Sequence, residues 1–201
     1  VGGPNCAGTI NLMDTEFPFA ATFFRNLPKG GGVALISQSG AIVEEAISES
    51  HRISIPLGAV VSVGNSLQLG VVDYLTYFGN NPKCTVIMLY LESLDDLKLS
   101  EEVVAKITKK KPVLILVGGR TDLGKIAAFK HTGSNSPVSL EIDKLCNKTR
   151  MIQIDCLRNL LLSAKVLGRF PSGLGNRILI LSNSGGPGVL ATDSAVDAGL
   201  N

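Results

Sequence analysis

Short apolar runs rich in β-branched residues alternate along this chain with longer segments whose apolar positions recur every three or four residues. The runs Gly32–Ser37, Gly58–Val63, Thr85–Leu91, Pro112–Val117 and Met151–Ile154 read as strands. Helical periodicity falls between and after them, over Gly40–Ser50, Leu69–Phe78, Leu97–Lys109, Pro137–Asn147 and Cys156–Gly168. In the first of these, Ile42, Val43, Ala46 and Ile47 share one face while Glu44, Glu45 and Glu49 lie elsewhere, so the helix is amphipathic. Strand and helix in alternation are the signature of βαβ units, and five such strands suit a doubly wound parallel sheet of the α/β class.

Two regions fall outside this rhythm. The first thirty residues, bracketed by Gly2-Gly3-Pro4 and Gly30-Gly31-Gly32, read as a loop-rich approach to the sheet. The stretch Arg169-Phe-Pro-Ser-Gly-Leu-Gly-Asn176 has the turn formers of a connector. A further strand, Arg177–Leu181, and one more helix follow it. One strand and one helix cannot bury a core alone, so they are expected to start a second α/β domain. A start on Val1-Gly-Gly-Pro and a finish just after a helix lead us to expect a piece of a longer polypeptide.

Composition narrows the function classes. The 201 residues carry a formal net charge of +2, and the basic residues are scattered apart from Lys109-Lys110-Lys111. That run reads as a solvated helix end before a buried strand, and with no tryptophan and few aromatic residues it argues against nucleic-acid binding. Cys6, Cys84, Cys146 and Cys156 form no C-x-x-C pair and have no histidine at ligand spacing, so no metal site is expected and they read as reduced cytosolic thiols. No membrane-length apolar stretch and no leader-like start is present, and the expected location is the cytoplasm.

One pattern occurs twice. Val33-Ala-Leu-Ile-Ser37-Gln-Ser39-Gly40 runs into one helix, and Ile178-Leu-Ile-Leu-Ser182-Asn-Ser184-Gly185-Gly186 runs into another. A helix start presents unpaired N–H groups and the positive end of the helix dipole, and small residues let an anion approach. Ser39-Gly40 and Ser184-Gly185-Gly186 are therefore candidate phosphate cradles. Ser39-Gly40 alone fits a plain N-cap, and Gly64-Asn65 alone fits a tight turn. Ligands of open parallel sheets bind beyond the carboxyl ends of the strands. Ser37–Gly40, Gly64-Asn65, Glu92 and Gly118-Gly119-Arg120 each follow a predicted strand, so all converge on one edge.

His131 is expected on the loop after the fourth strand, followed by Thr132-Gly133-Ser134, which put no bulk beside the ring. A neutral imidazole accepts a phosphoryl group near pH 7 without a strong base. A carboxylate on its other nitrogen would fix the tautomer and stabilise the phosphorylated ring. The other histidine, His51, reads as a surface residue near a helix end.

These residues and their order resemble a known family. Gly3-Pro-Asn-Cys6, Ser-Gln-Ser-Gly at 37–40, Val-Ser-Val-Gly-Asn at 61–65, Leu-Tyr-Leu-Glu at 89–92, Lys-Lys-Pro-Val at 110–113, His-Thr-Gly at 131–133 and Ser-Asn-Ser-Gly-Gly-Pro-Gly at 182–188 resemble the NDP-forming acyl-CoA synthetases. These include the ADP-forming acetate–CoA ligases and, more distantly, the succinyl-CoA synthetase α-subunit. The resemblance implies a flavodoxin-like sheet over residues 31–168 and a linker at 169–176. It makes residues 1–30 the tail of a CoA-binding domain with its linker, and 177–201 the start of a second similar domain.

The resemblance also implies a reaction. Phosphate cleaves an acyl-CoA to an acyl phosphate, His131 carries the phosphoryl group, and ADP receives it. Glu92 would support the phosphohistidine, and the two Ser-Gly helix starts would hold it from different domains. No tightly bound cofactor is implied: CoA, phosphate, a small carboxylic acid and ADP or ATP with magnesium are substrates, and nucleotide and most CoA contacts lie outside this chain. CoA-binding and ATP-grasp domains or subunits are the implied partners, compatible with a homo-oligomer, and the chain alone is expected to be inactive. Lys130, Asn135-Ser136-Pro137 and Gln68 depart from the family pattern. The alternative is a non-catalytic acyl-CoA-sensing domain, such as some multidomain protein acetyltransferases carry.

Overall fold

The computed structural model describes residues 1–132, 139–170 and 175–201, and the side chains of these except at 131, 132 and 139. It divides into two compact units, Val1–Pro171 and Ser172–Asn201.

In the first unit the chain opens with two strands, β1 (Gly8–Asn11) and β2 (Phe19–Thr22). Strand β3 (Val33–Ser37) then leads into helix α1 (Gly40–Arg52), and β4 (Leu57–Ser62) into α2 (Val71–Asn80). After β5 (Val86–Leu91) come α3 (Asp95–Lys98) and α4 (Glu101–Thr108), and β6 (Val113–Val117) follows. The unit closes with α5 (Asp122–Thr132), α6 (Ser139–Thr149), β7 (Ile152–Ile154) and α7 (Leu157–Arg169). All seven strands join one sheet in the order β2-β1-β4-β3-β5-β6-β7. Strands β4, β3, β5, β6 and β7 run parallel, whereas β1 is antiparallel to both β2 and β4. The parallel part has the doubly wound, flavodoxin-like order, which reverses direction between β3 and β5.

Period-two alternation distributes the core over both faces of this sheet. Ala34, Ile36, Ile87, Leu89, Val113 and Ile115 face the layer holding Leu75 and Phe78 of α2, Ile107 of α4 and Ile142 of α6. Val33, Leu35, Val86, Met88 and Leu114 face Val43 and Ile47 of α1 and Leu160 and Leu161 of α7. With helices on both faces, the strand residues from Val33 to Ser37 are wholly buried, which accounts for the uniformly apolar run from Val33 to Ile36.

The five expected parallel strands are all present, within a residue or so of their predicted limits. Four expectations change. The N-terminal approach is not only loop: Gly8–Asn11 and Phe19–Thr22 extend the sheet, because β4 offers a free edge to which even a Gly-Thr-Ile-Asn run can pair. The helix expected over Leu97–Lys109 is broken at Leu99-Ser100 into α3 and α4. His131, expected on a loop, lies in α5, which spans Asp122–Thr132. Arg177–Leu181 is not a strand in the second unit, since a strand requires a partner along its length. Ile178 N–H donates to Asn201 at 2.8 Å and Asn201 N–H donates to Asn176 at 2.6 Å, while Leu179 and Leu181 stay exposed. Helix α8 (Gly185–Asp197) is formed as expected.

Candidate functional site at the carboxyl edge of the sheet

The loops after β3 and β5 meet where the strand order reverses, the position at which ligands of this architecture bind. Ser37, the last residue of β3, is wholly buried, and its hydroxyl donates to the Ser39 carbonyl at 2.7 Å and accepts from Ser39 N–H at 3.0 Å. This clasp turns the chain sharply into α1. Ser39 is the N-cap, with extended backbone, and its Oγ accepts from Ile42 N–H at 3.4 Å. Val43 N–H bonds the Ser39 carbonyl. Among the described residues the N–H groups of Gly40 and Ala41 have no acceptor, so the first turn of α1 presents two donors at the positive end of the dipole.

Gln38 lies between the two serines and bridges to the next loop. Its N–H donates to the Tyr90 carbonyl at 3.0 Å, and its Oε1 accepts from Glu92 N–H at 2.6 Å and Ser93 N–H at 3.0 Å. Glu92 is half-buried, directly after β5, and its Oε1 accepts from the Tyr90 hydroxyl at 3.3 Å. Burial first, and the Glu92 carboxylate second, push the Tyr90 phenol up to about 12, so it stays a donor across the neutral range. Gly118, after β6, leaves room for this pair: a Cβ there would stand 2.8 Å from the Tyr90 hydroxyl oxygen.

The third wall comes from the chain start. Gly64, after β4, has φ +58°, and a Cβ on it would fall 2.1 Å from the Pro4 carbonyl oxygen, so the position requires glycine. Asn65 and Leu67 donate to the Pro4 and Gly3 carbonyls at 2.9 and 3.0 Å, and Ala7 N–H bonds the buried Ser62 hydroxyl at 3.0 Å. The Gly-Pro-Asn-Cys segment is thereby tied beside the start of α1.

Ser39, Gly40, Glu92, Gly64-Asn65 and Gly118-Gly119-Arg120 thus stand on one edge, as their places after parallel strands require. The backbone of His131 belongs to the last turn of α5 rather than to a loop; its ring, and residues 133–138, lie outside the described residues. Ser184, Gly185 and Gly186 are the N-cap and first two positions of α8 in the second unit. Here Ser182 Oγ donates to the Ser184 carbonyl at 2.7 Å and accepts from Ser184 N–H at 3.1 Å, repeating the clasp of Ser37. A Cβ on Gly185 or Gly186 would meet nothing within 4 Å.

Sequence reasoning missed Gln38 and Tyr90. Gln38 was visible only as the spacer in Ser-x-Ser-Gly, and its partners are 54 and 55 residues away. All four cysteines are free, and burial pushes the thiols of Cys84 and Cys146 up to about 11, which disqualifies them as nucleophiles at neutral pH. Among the described residues no cluster of three or more His, Cys, Asp or Glu could hold a metal ion, and no helix is long and apolar enough to cross a membrane.

Residues 30–167 match the family described as the succinyl-CoA ligase-like flavodoxin domain. The chain is 36% identical over 200 residues to the ADP-forming 4-hydroxybutyrate–CoA ligase of Nitrosopumilus maritimus, covering 98% of this chain and 28% of that protein. It is 34% identical over 198 residues to the alpha subunit of ADP-forming acetate–CoA ligase II of Pyrococcus furiosus, covering 98% of this chain and 42% of that one. The solved dinucleotide-forming acetyl-coenzyme A synthetase 1 of Ca. Korarchaeum cryptofilum, in complex with phosphate and ADP, shares the fold with a TM-score of 0.87 and 31% identity, over 100% of this chain and 43% of that chain. The chain spans less than half the length of each of these relatives.

Proposed function

This chain belongs to the succinyl-CoA ligase-like flavodoxin domain family, and on that premise we propose that it is the phosphoryl-carrying region of an ADP-forming acid–CoA ligase. Phosphate attacks the acyl-CoA thioester carbonyl and expels the CoA thiolate, which leaves an acyl phosphate. A ring nitrogen of His131 takes the phosphoryl group from that acyl phosphate, releases the carboxylate, and gives the group up to ADP. In the opposite direction ATP, an acid and CoA yield acyl-CoA, ADP and phosphate.

The observation that carries this reading is the start of α1. Two unpaired N–H groups, a glycine at the first helical position and a capping serine fit a phosphoryl group, and Glu92 is held beside them. The Glu92 carboxylate would accept from the imidazole N–H, fix the tautomer and stabilise the charge on the phosphorylated ring. The relatives' names support the reaction class: the 4-hydroxybutyrate and acetate enzymes are both ADP-forming CoA ligases. CoA-binding and nucleotide-binding parts would come from other domains or subunits, and the expected location is the cytoplasm.

The test uses the full-length protein with labelled ATP and magnesium. A phosphoramidate hydrolyses in acid and survives base, so label on His131 should be acid-labile. His131→Asn keeps a polar side chain without the nucleophilic nitrogen and should abolish labelling and acyl-CoA synthesis together, whereas Glu92→Gln should slow both about 10–100-fold. A His131→Asn protein that makes acyl-CoA at the wild-type rate would sink the mechanism. A wild-type protein that binds acyl-CoA and never labels would make the chain a sensor instead.

A further inference from the structure

The two loops at the reversal point are joined by a single side chain. Gln38 is part of the β3–α1 turn, yet its amide oxygen accepts the N–H groups of Glu92 and Ser93 at 2.6 and 3.0 Å, and its own N–H bonds Tyr90 at 3.0 Å. Both N–H groups follow the end of β5, where the ladder to β3 has stopped. Without that oxygen they would have no acceptor among the described residues, and the backbone carrying Glu92 would be released from the turn. The carboxylate itself is held separately, through the Tyr90 hydroxyl on Oε1 at 3.3 Å, which leaves Oε2 for another donor.

We propose that Gln38 is a positioning residue: it fixes the place of Glu92 relative to the first turn of α1, so that the anion donors and the carboxylate act on one phosphoryl-bearing group at a set separation. The role assigned to that group rests on the reading of His131 and Glu92 given above. Two chemical features suit Gln38 to the task. Asparagine is one methylene shorter and would not span the gap from this turn. A neutral amide also accepts two N–H groups without adding negative charge beside an anion site, which an acidic residue would do.

Two variants of the full-length protein test this. Gln38→Met keeps length and removes the acceptor; Gln38→Glu keeps an acceptor and adds charge. In Gln38→Met, amide hydrogen exchange at Glu92 and Ser93 should rise about tenfold or more, as expected for loss of a net hydrogen bond. Single-turnover labelling of His131 should fall about 10–100-fold while the KM for acyl-CoA stays within about twofold. Gln38→Glu should restore the exchange protection, and its labelling should lie between wild type and Gln38→Met. A purely structural glutamine would lower the melting temperature and, through a smaller active fraction, the amplitude of labelling, but not its single-turnover rate constant. Wild-type exchange at Glu92 and Ser93 in Gln38→Met overturns the tether. Faster exchange with undiminished labelling overturns the positioning role. If wild-type protein never labels at His131, the function itself falls, and the exchange measurement still decides the tether independently.

Discussion

The two Ser-x-Ser-Gly helix starts carry the same clasp and differ in nearly everything around it. Ser37 and Ser182 each donate to the carbonyl, and accept from the N–H, of the serine two residues on, with distances that agree within 0.1 Å. Each opens a helix of 13 residues. In the first copy the third helical position is Ile42, whose N–H bonds Ser39 Oγ; in the second it is Pro187, which has no N–H, and Ser184 makes no side-chain cap. The second start is therefore open at both Gly185 and Gly186, with no neighbour within 4 Å of either would-be Cβ. The first stands over a buried strand and is braced by Gln38; the second follows exposed residues. A four-residue motif thus fixes local hydrogen bonding by itself, whereas burial comes from what the preceding segment is packed against.

The largest test of this contrast compares the residues just before the two clasps. Ile36, just before the first clasp, is wholly buried, and Leu181, just before the second, is 85% exposed. In the 201-residue chain, Ile36→Ala should cost about 2–5 kcal/mol and Leu181→Ala less than about 0.5, read from urea midpoints. Equal losses would show that the second copy is supported as firmly as the first.

Next come the clasps. Ser37→Ala removes a buried hydroxyl that partners the Ser39 N–H and carbonyl in a half-buried turn, at about 1–3 kcal/mol. Ser182→Ala breaks the same bonds where water replaces them, at a few tenths, below about 0.5 kcal/mol. A Ser37→Ala protein as stable as its parent would mean that water reaches the first turn too.

The smallest effect is a titration. The Tyr90 phenol beside the first copy is pushed up to about 12, whereas no tyrosine follows residue 90. An unfolded tyrosine ionises near pH 10, so the folded state holds its proton more tightly. The stabilising contribution is complete below about pH 10 and is lost as pH rises through about 12. The absorbance difference between the parent and Tyr90→Phe should therefore appear near pH 12, and one that is complete by about pH 10 would refute the burial of this hydroxyl.

Much of the fold could be read directly because the parallel strands are buried on both faces, and burial writes itself into composition. Where pairing decides, the chain is mute. Phe19-Ala-Ala-Thr22 has no alternating or β-branched run, and it is a strand only because β1 lies beside it. Ile178-Leu-Ile-Leu181 has the run and is no strand. Helix α5 escaped notice because Gly124 interrupts it and Leu123, Ile126 and Phe129 are exposed, so no buried stripe marks it. At the candidate site, Ser39, Gly40 and Glu92 could be placed because strand ends in a parallel sheet share an edge. Gln38 could not, since its hydrogen bonds depend on a loop in another βαβ unit.

The strand order also bears on how the chain avoids self-association. Val-Ile-Met-Leu-Tyr-Leu of β5 and Val-Leu-Ile-Leu-Val of β6 are uncharged and free of proline, the composition of cross-β segments, and both lie inside the sheet. The outermost strands, β2 and β7, have 4 and 3 residues. Such short margins offer an incoming chain few backbone groups to pair with, so they shield the interior strands from intermolecular templating. Of the two margins, only β7 directly covers one of these segments, β6, so its release would uncover the backbone groups that such templating needs.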